Sequence, residues 1–398
     1  MYRCNFLGDF SHFKFNKSLI LLYIAGFVLA VATSTTAYIN SSFLETFVDL
    51  KYISLFFVAA NVVTFFAMLF FSKLIKKTGN FTAAKLMIII GALSLLGLIG
   101  GFSPWLLLLF FISMWVSFNL LWINMDIFVE SFTSNINTGK TRALFFTFMN
   151  IGWIFTPIIS TRLVVGENYY NYVYLFSAAV LIFFYILIHL FKKKISKKIV
   201  FNKKSIKRII IEFWKDKNLK GLYMVSFFLN LFFGVVVVYI PIYLHTYIGF
   251  DWSTLGLIFS FMLIPFILIE IPAGIIADKY IGEKEMLFVG LGILTLCLFL
   301  FGSVKSTSPL LWGALLFFSR VGAALVEAMR ESRFFKIVDA EDIGHINLLR
   351  STSPLGYLIS ASLGAVILFW YNIPILFLLL SVLFLFSFYF VYIIKDSK

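Results

Sequence analysis

The chain has 398 residues, of which 61% are hydrophobic, 19% aromatic and only 13% charged, whereas a soluble domain is about half apolar and a quarter charged. The apolar residues come in blocks of about 20, the length of helix that crosses a hydrocarbon core of roughly 30 Å, and strand-length alternation is absent, which excludes a β-barrel. The net charge of +14 does not point to nucleic acid, because 12 of the 33 Lys and Arg lie between Lys192 and Lys220 and most others fill short gaps between apolar blocks, as the positive-inside rule requires with anionic inner-leaflet lipids as partner.

Taken in order, the blocks predict an all-α polytopic membrane protein with twelve spans, at about 18–40, 52–72, 82–101, 105–127, 143–165, 171–191, 221–245, 253–277, 286–304, 309–329, 350–370 and 373–394. Lys14, Lys17 and the Ala30-Val31-Ala32 triplet imitate a cleavable signal peptide, but the apolar run continues to about Ile39 and the helix count needs it. With both termini inside, 29 of the 33 basic residues fall on cytoplasmic segments, and only Lys51, Arg162 and Lys305 fall outside. Sliding the register by one helix would reverse that ratio, so the expected orientation is N-in and C-in.

The basic stretch 192–220 separates two six-helix bundles, 1–191 and 221–398. Within it Ile206, Ile209, Ile210 and Phe213 recur at helical spacing beside Lys207, Arg208 and Lys215. That pattern predicts an amphipathic helix on the inner leaflet, with a flexible basic tether as the alternative. Cys4 and Cys297 form neither a disulfide framework nor a metal site, and His12, His189, His245 and His345 are too dispersed for one. No nucleophile–base pair, phosphate-binding glycine loop or cofactor motif is present, so no cofactor and no enzyme chemistry are expected.

The halves echo each other. Ser72-Lys-Leu-Ile-Lys76-Lys77-Thr78-Gly79 follows the second block, and Gly274-Ile-Ile-Ala-Asp278-Lys279-Tyr280-Ile281-Gly282 follows the eighth, with spacing matched to within one residue. In these features the chain resembles the major facilitator superfamily over essentially its whole length. Gly274, Asp278, Lys279, Gly282 and Lys284 match the loop signature of that family, with one extra residue before Gly282. In the first half Ser72 replaces the glycine and Lys76 the acid. The stretch Gly152-Trp-Ile-Phe-Thr156-Pro157-Ile-Ile-Ser160 is similar to the family's glycine and proline motif in the fifth span, with small residues substituted.

The resemblance implies the facilitator fold and alternating access by two rocking halves around a cavity lined by spans 1, 4, 7 and 10. It also implies a latch on the inner side, in which Asp278 faces the start of the fifth helix near Gly139 to Arg142. Physically, Gly274 would permit close helix contact, and a carboxylate at position 278 would suit the positive end of a neighbouring helix.

An ionisable group inside a span costs about 2.5 to 3.5 kcal/mol to insert and is a functional candidate by default. Arg320 lies near the middle of the tenth span, Glu327 seven residues further along the same face, and Glu270 eight residues before Asp278 on the eighth. These three are expected to cluster, either as a site for an anionic or polar solute or a coupling proton, or as a buried ion pair that fixes packing. For Glu270 packing is favoured, because it precedes Pro272. In the fourth span Asn119, Trp122, Asp126 and Glu130 share one helical face. Asp126 and Glu130 are read as structural partners of Lys140 and Arg142 in preference to proton carriers. Thr33 to Thr36, Asn61, Asn150, Asn230, Tyr239 and Tyr357 could hydrogen-bond a ligand or join helices, and Pro157, Pro241, Pro265, Pro272 and Pro354 mark kinks.

The expected function is secondary transport of a small polar or anionic solute, with a proton gradient as the candidate energy source. The protein is expected to be a monomer in a bacterial plasma membrane. A polytopic enzyme acting on lipid would need a reactive constellation at one membrane face, and none is found. A non-transporting receptor would add a soluble signalling domain, for which the tails are too short.

Overall fold

The computed structural model describes residues 17–100, 103–132, 138–164, 170–192, 206–338 and 343–395. Among them, twelve helices are long and apolar enough to cross a membrane. Spans 1 to 6 are Ser18–Glu45, Leu50–Met68, Asn80–Leu98, Pro104–Val129, Leu144–Leu163 and Tyr170–Leu190. Spans 7 to 12 are Lys217–Tyr247, Trp252–Gly274, Glu283–Ser303, Pro309–Ile337, His345–Trp370 and Ile373–Tyr392. This even number of spans puts Lys17 and Lys395 on one side, here called the terminal end.

Proline sets most of the irregularities. Span 8 is three helical pieces, Trp252–Leu263, Pro265–Leu268 and Glu270–Ile276, followed by a π turn at Ala277–Ile281. Pro265 and Pro272 each remove an amide donor from the helical ladder, so the helix breaks into segments there. In span 7 the helix passes Pro241 and widens to a π turn at Tyr243–Tyr247. Span 1 reaches beyond its predicted limit through a short helix, Asn40–Glu45, that follows a turn at Tyr38 and Ile39.

The two matched loops end alike. Gly79 has φ +86° and Gly282 φ +103°, and each closes one helix and opens the next. Only glycine takes that backbone region without strain. Among the described residues, a methyl group added at Gly274 would meet nothing within 4 Å; the side chains of the segment expected to face this loop, 139–142, lie outside those residues.

Spans 1 and 7 are the most enclosed, with 72% and 89% of their apolar windows buried, so they occupy the centre. The halves meet where span 2 packs on span 11 and span 5 on span 8. At the end opposite the termini this seam is tight. Residues Leu29 to Leu44 of span 1 and Gly234 to Leu244 of span 7 are buried throughout. A methyl group on Gly256 of span 8 would lie 2.0 Å from the Thr161 hydroxyl of span 5. Ser54 and Tyr239 hydrogen-bond across the halves at 2.9 Å, and Thr246 donates to Glu45 at 2.9 Å. The hydroxyls of Thr33, Ser34, Thr35 and Thr36 are also buried, and each bonds a carbonyl three or four residues back in its own helix.

Toward the terminal end the centre loosens. Tyr223, Met224, Phe227, Asn230 and Phe233 of span 7 are half-buried along one face. The rest of that helix, its ends apart, is enclosed by its neighbours. Asn119, Trp122, Ile123 and Asp126 of span 4 are half-buried at the same end.

Outside the spans, the helix Ile206–Lys215 forms where the linker periodicity places it. Its apolar face divides between two surroundings. Ile209 and Phe213 are buried against the protein, with the Phe213 ring 5.8 Å from His345 and 5.9 Å from Tyr223, while Ile210, Ile211 and Trp214 stay exposed.

Candidate substrate site

Arg320 stands eleven residues into the helix that begins at Pro309, about 16 Å along its axis and near mid-depth. It is 1% exposed. Its guanidinium carbon lies 5.5 Å and 5.4 Å from the ring centres of Phe232 and Phe233 on span 7, within cation–π range. The hydroxyls of Tyr38 on span 1 and Tyr357 on span 11 lie within its electrostatic reach.

Further rings extend this wall. Tyr38 stacks on Phe259 of span 8 at 5.1 Å and meets Trp153 of span 5 edge-on at 6.4 Å. Tyr357 lies 6.0 Å from Trp115 of span 4, whose indole donates to Asn61 of span 2 at 3.3 Å. Both halves therefore contribute rings to one aromatic cluster around the Arg320 guanidinium. Nε and Nη1 of Arg320 have no hydrogen-bond partner among the described residues. A buried donor left unmade costs about 1–3 kcal/mol, more when charged, so the cluster is short of an acceptor.

The expected cluster of Arg320 with Glu327 does not close by direct contact. Glu327, about 10 Å further along span 10, lies 3.9 Å from Arg330, and Arg320 is the weakest of its electrostatic neighbours. It joins a second group nearer the terminal end. There Glu331 binds Arg330 at 2.6 Å and Arg350 at 2.9 Å, and Arg330 donates to Ser226, which bonds Thr352 at 2.7 Å. Asp126 of span 4 acts on Arg350 from the other half, and the Arg350 guanidinium lies 5.9 Å from the Phe146 ring of span 5. Asp126 thus has Arg350 as an electrostatic neighbour. Asn119 spends its amide on the Trp115 carbonyl at 2.9 Å.

The side chains of Glu130, Lys140, Arg142, Glu270, Asp278 and Lys279 lie outside the described residues. Lys284 donates to the Tyr392 carbonyl at 3.0 Å, which caps the end of span 12 within its own half.

Sequence reading missed the Arg330–Glu331–Arg350 group, because three loop-side charges look like ordinary topology signals. It also missed Glu283, which is 2% exposed and held by Lys336 and by Ser332 at 3.2 Å. A separate groove of about 330 Å³, lined by Val63, Phe70, Met87, Ile112 and Leu120 among others, is apolar and shares no residue with the aromatic cluster around Arg320.

The family model for the Major Facilitator Superfamily matches residues 22–330. The chain belongs to the major facilitator superfamily. Among solved structures, this facilitator is similar to the nucleoside transporter NupG, with a TM-score of 0.72 and 14% identity over 96% of this chain and 100% of that one. It is also similar to the xylose transporter XylE from E. coli in a partially occluded inward open conformation, with a TM-score of 0.71 and 11% identity over 96% of this chain and 98% of that one. At such identities the likeness shows the fold alone. No curated protein matches the sequence.

Proposed function

We propose that this facilitator is a secondary transporter that carries a small polar or anionic solute past Arg320 by alternating access, driven by a proton gradient, with both termini in the cytoplasm of a bacterial cell. The observation that carries the reading is the mid-depth guanidinium with two unpartnered donors, set between the halves. An ionisable group at that depth is costly to keep, and two donors left without a protein partner favour a role in binding over packing alone.

The tight seam away from the termini and the half-buried faces toward them support a vestibule open to the cytoplasm. Glu327, whose side chain is 32% exposed within the Arg330 group, is the favoured proton carrier, because water reaches it and a counter-charge is at hand. Asp126 and Glu270 are the further candidates, and the basic linker supports contact with anionic inner-leaflet lipid.

Proteoliposomes with an imposed pH gradient test this. Arg320→Ala should abolish uptake of the transported solute. Glu327→Gln should keep exchange of solute across the membrane while removing its dependence on the gradient. Full gradient-driven transport by both variants would refute the reading.

A further inference from the structure

We infer that the solute is an organic monocarboxylate with a flat aromatic body, its carboxylate on Arg320 and its ring among Tyr38, Trp115, Phe259 and Tyr357. This rests on the transporter reading and narrows it to one chemical class.

Three observations select the class. First, among the described residues Arg320 is the single cation at this depth. Along span 10 the next cation is Arg330, ten residues or about 15 Å away, and Glu331 already holds it. A phosphate or dicarboxylate would leave charge uncompensated beside one guanidinium, whereas a monocarboxylate leaves none.

Second, several of the neighbouring amides and hydroxyls are already engaged. Asn61 donates to the Phe57 carbonyl and accepts from Trp115. The Asn119 amide goes to the Trp115 carbonyl, and the Ser34 hydroxyl goes to Ala30 and Thr156. A polyhydroxylated solute needs free acceptors for its O–H groups, and these side chains offer few.

Third, what remains around the guanidinium is ring surface. Phe232 and Phe233 lie within cation–π range of it, and Nε and Nη1, which have no partner among the described residues, are left for a carboxylate. Tyr38 and Phe259 stack on each other, and Trp115 and Tyr357 lie 6.0 Å apart, so a solute that reaches Arg320 has ring edges and faces for neighbours, which suits a planar aromatic body.

The test uses the full-length protein in nanodiscs, with benzoate as probe and benzamide, cyclohexanecarboxylate and phenyl phosphate as comparisons, read by tryptophan fluorescence and calorimetry. Benzoate should bind saturably, and each comparison should bind about tenfold or more weakly, the scale of one lost charge-assisted bond or stacking set. Arg320→Gln should remove benzoate binding, and Arg320→Lys should restore part of it. Trp115→Leu should narrow the preference for benzoate over cyclohexanecarboxylate.

Benzamide binding as well as benzoate, benzoate binding that survives Arg320→Gln in folded protein, or equal binding of phenyl phosphate would overturn the inference. Counterflow in liposomes separates the two readings. Arg320-dependent benzoate binding without any flux would remove the transporter reading and leave the site. Flux of a neutral solute unaffected by Arg320→Gln would remove the carboxylate and leave the transporter.

Discussion

Glu283 shows what a single buried carboxylate does in this protein when it is matched. It sits at the first position of span 9, where the helix N-terminus already favours negative charge, and it takes Lys336 and Ser332 from the end of span 10. Glu283→Ala should lower stability by about 1–2 kcal/mol, less than a fully buried pair would lose because Lys336 is 45% exposed. Thermal unfolding in detergent measures it, and Lys336→Met should cost less. Asp251 is the contrasting exposed case. It caps span 8 by accepting from the amides of Ser253 and Thr254 and from their hydroxyls, which pushes its carboxyl down to about 2. A depressed folded value means that its contribution is fully present above the unfolded value near 3.9 and is lost as pH falls through about 2. Asp251→Ala should therefore destabilise by roughly 0.5–1 kcal/mol, by the same amount at pH 5 and pH 8. Arg320 was legible as a deep charge from its place in an apolar run. Its ring neighbours were not, because Tyr38, Phe232 and Tyr357 stand far apart in sequence and carry no mark that separates them from other aromatics in a chain rich in them.

At the scale of the element, length and hydropathy sufficed to find the spans, since a membrane helix must bond its own backbone for its whole length. The breaks in span 8 were foreshadowed by Pro265 and Pro272, whereas the π turns at Tyr243–Tyr247 and Ala277–Ile281 had no sequence signal of their own. The loop signature was readable as spacing, but the work of its glycines was not. Gly282 is required by its backbone angle, while Gly274 has no close neighbour among the described residues. Gly282→Ala should cost about 1–2 kcal/mol and reduce folded yield, and Gly79→Ala should do the same. Gly274→Ala should leave the monodisperse fraction on size exclusion unchanged; if transport slows while that fraction holds, Gly274 makes its contact only in the other conformation. The linker helix illustrates a different limit. Its periodicity identified an apolar face, yet nothing in the pattern could tell lipid from the patch around His345 and Tyr223 that receives Phe213.

For the whole molecule, the alternating access proposed above requires the seam opposite the termini to open and close. Cysteines placed at Glu45 and Thr246, in a chain with Cys4 and Cys297 replaced, should join through a short bifunctional reagent and stop transport, because their side chains already touch across the halves. Flux in liposomes before and after cleaving the linkage checks this; unimpeded flux in the joined protein would mean that the seam does not part. The hydroxyls of Thr33 to Thr36 bear on how readily it does. Their hydrogen bonds run to carbonyls of the same helix, so they travel with span 1 when the halves separate and no donor is stranded. Each oxygen still carries a lone pair that incoming water can use. One strip of surface can thus be dry packing in one state and wetted wall in the other, with little enthalpy to recover on either side. A surface that wets and dewets without penalty lets the two conformations lie close in free energy, so that the differential binding of a solute suffices to tip the balance between them.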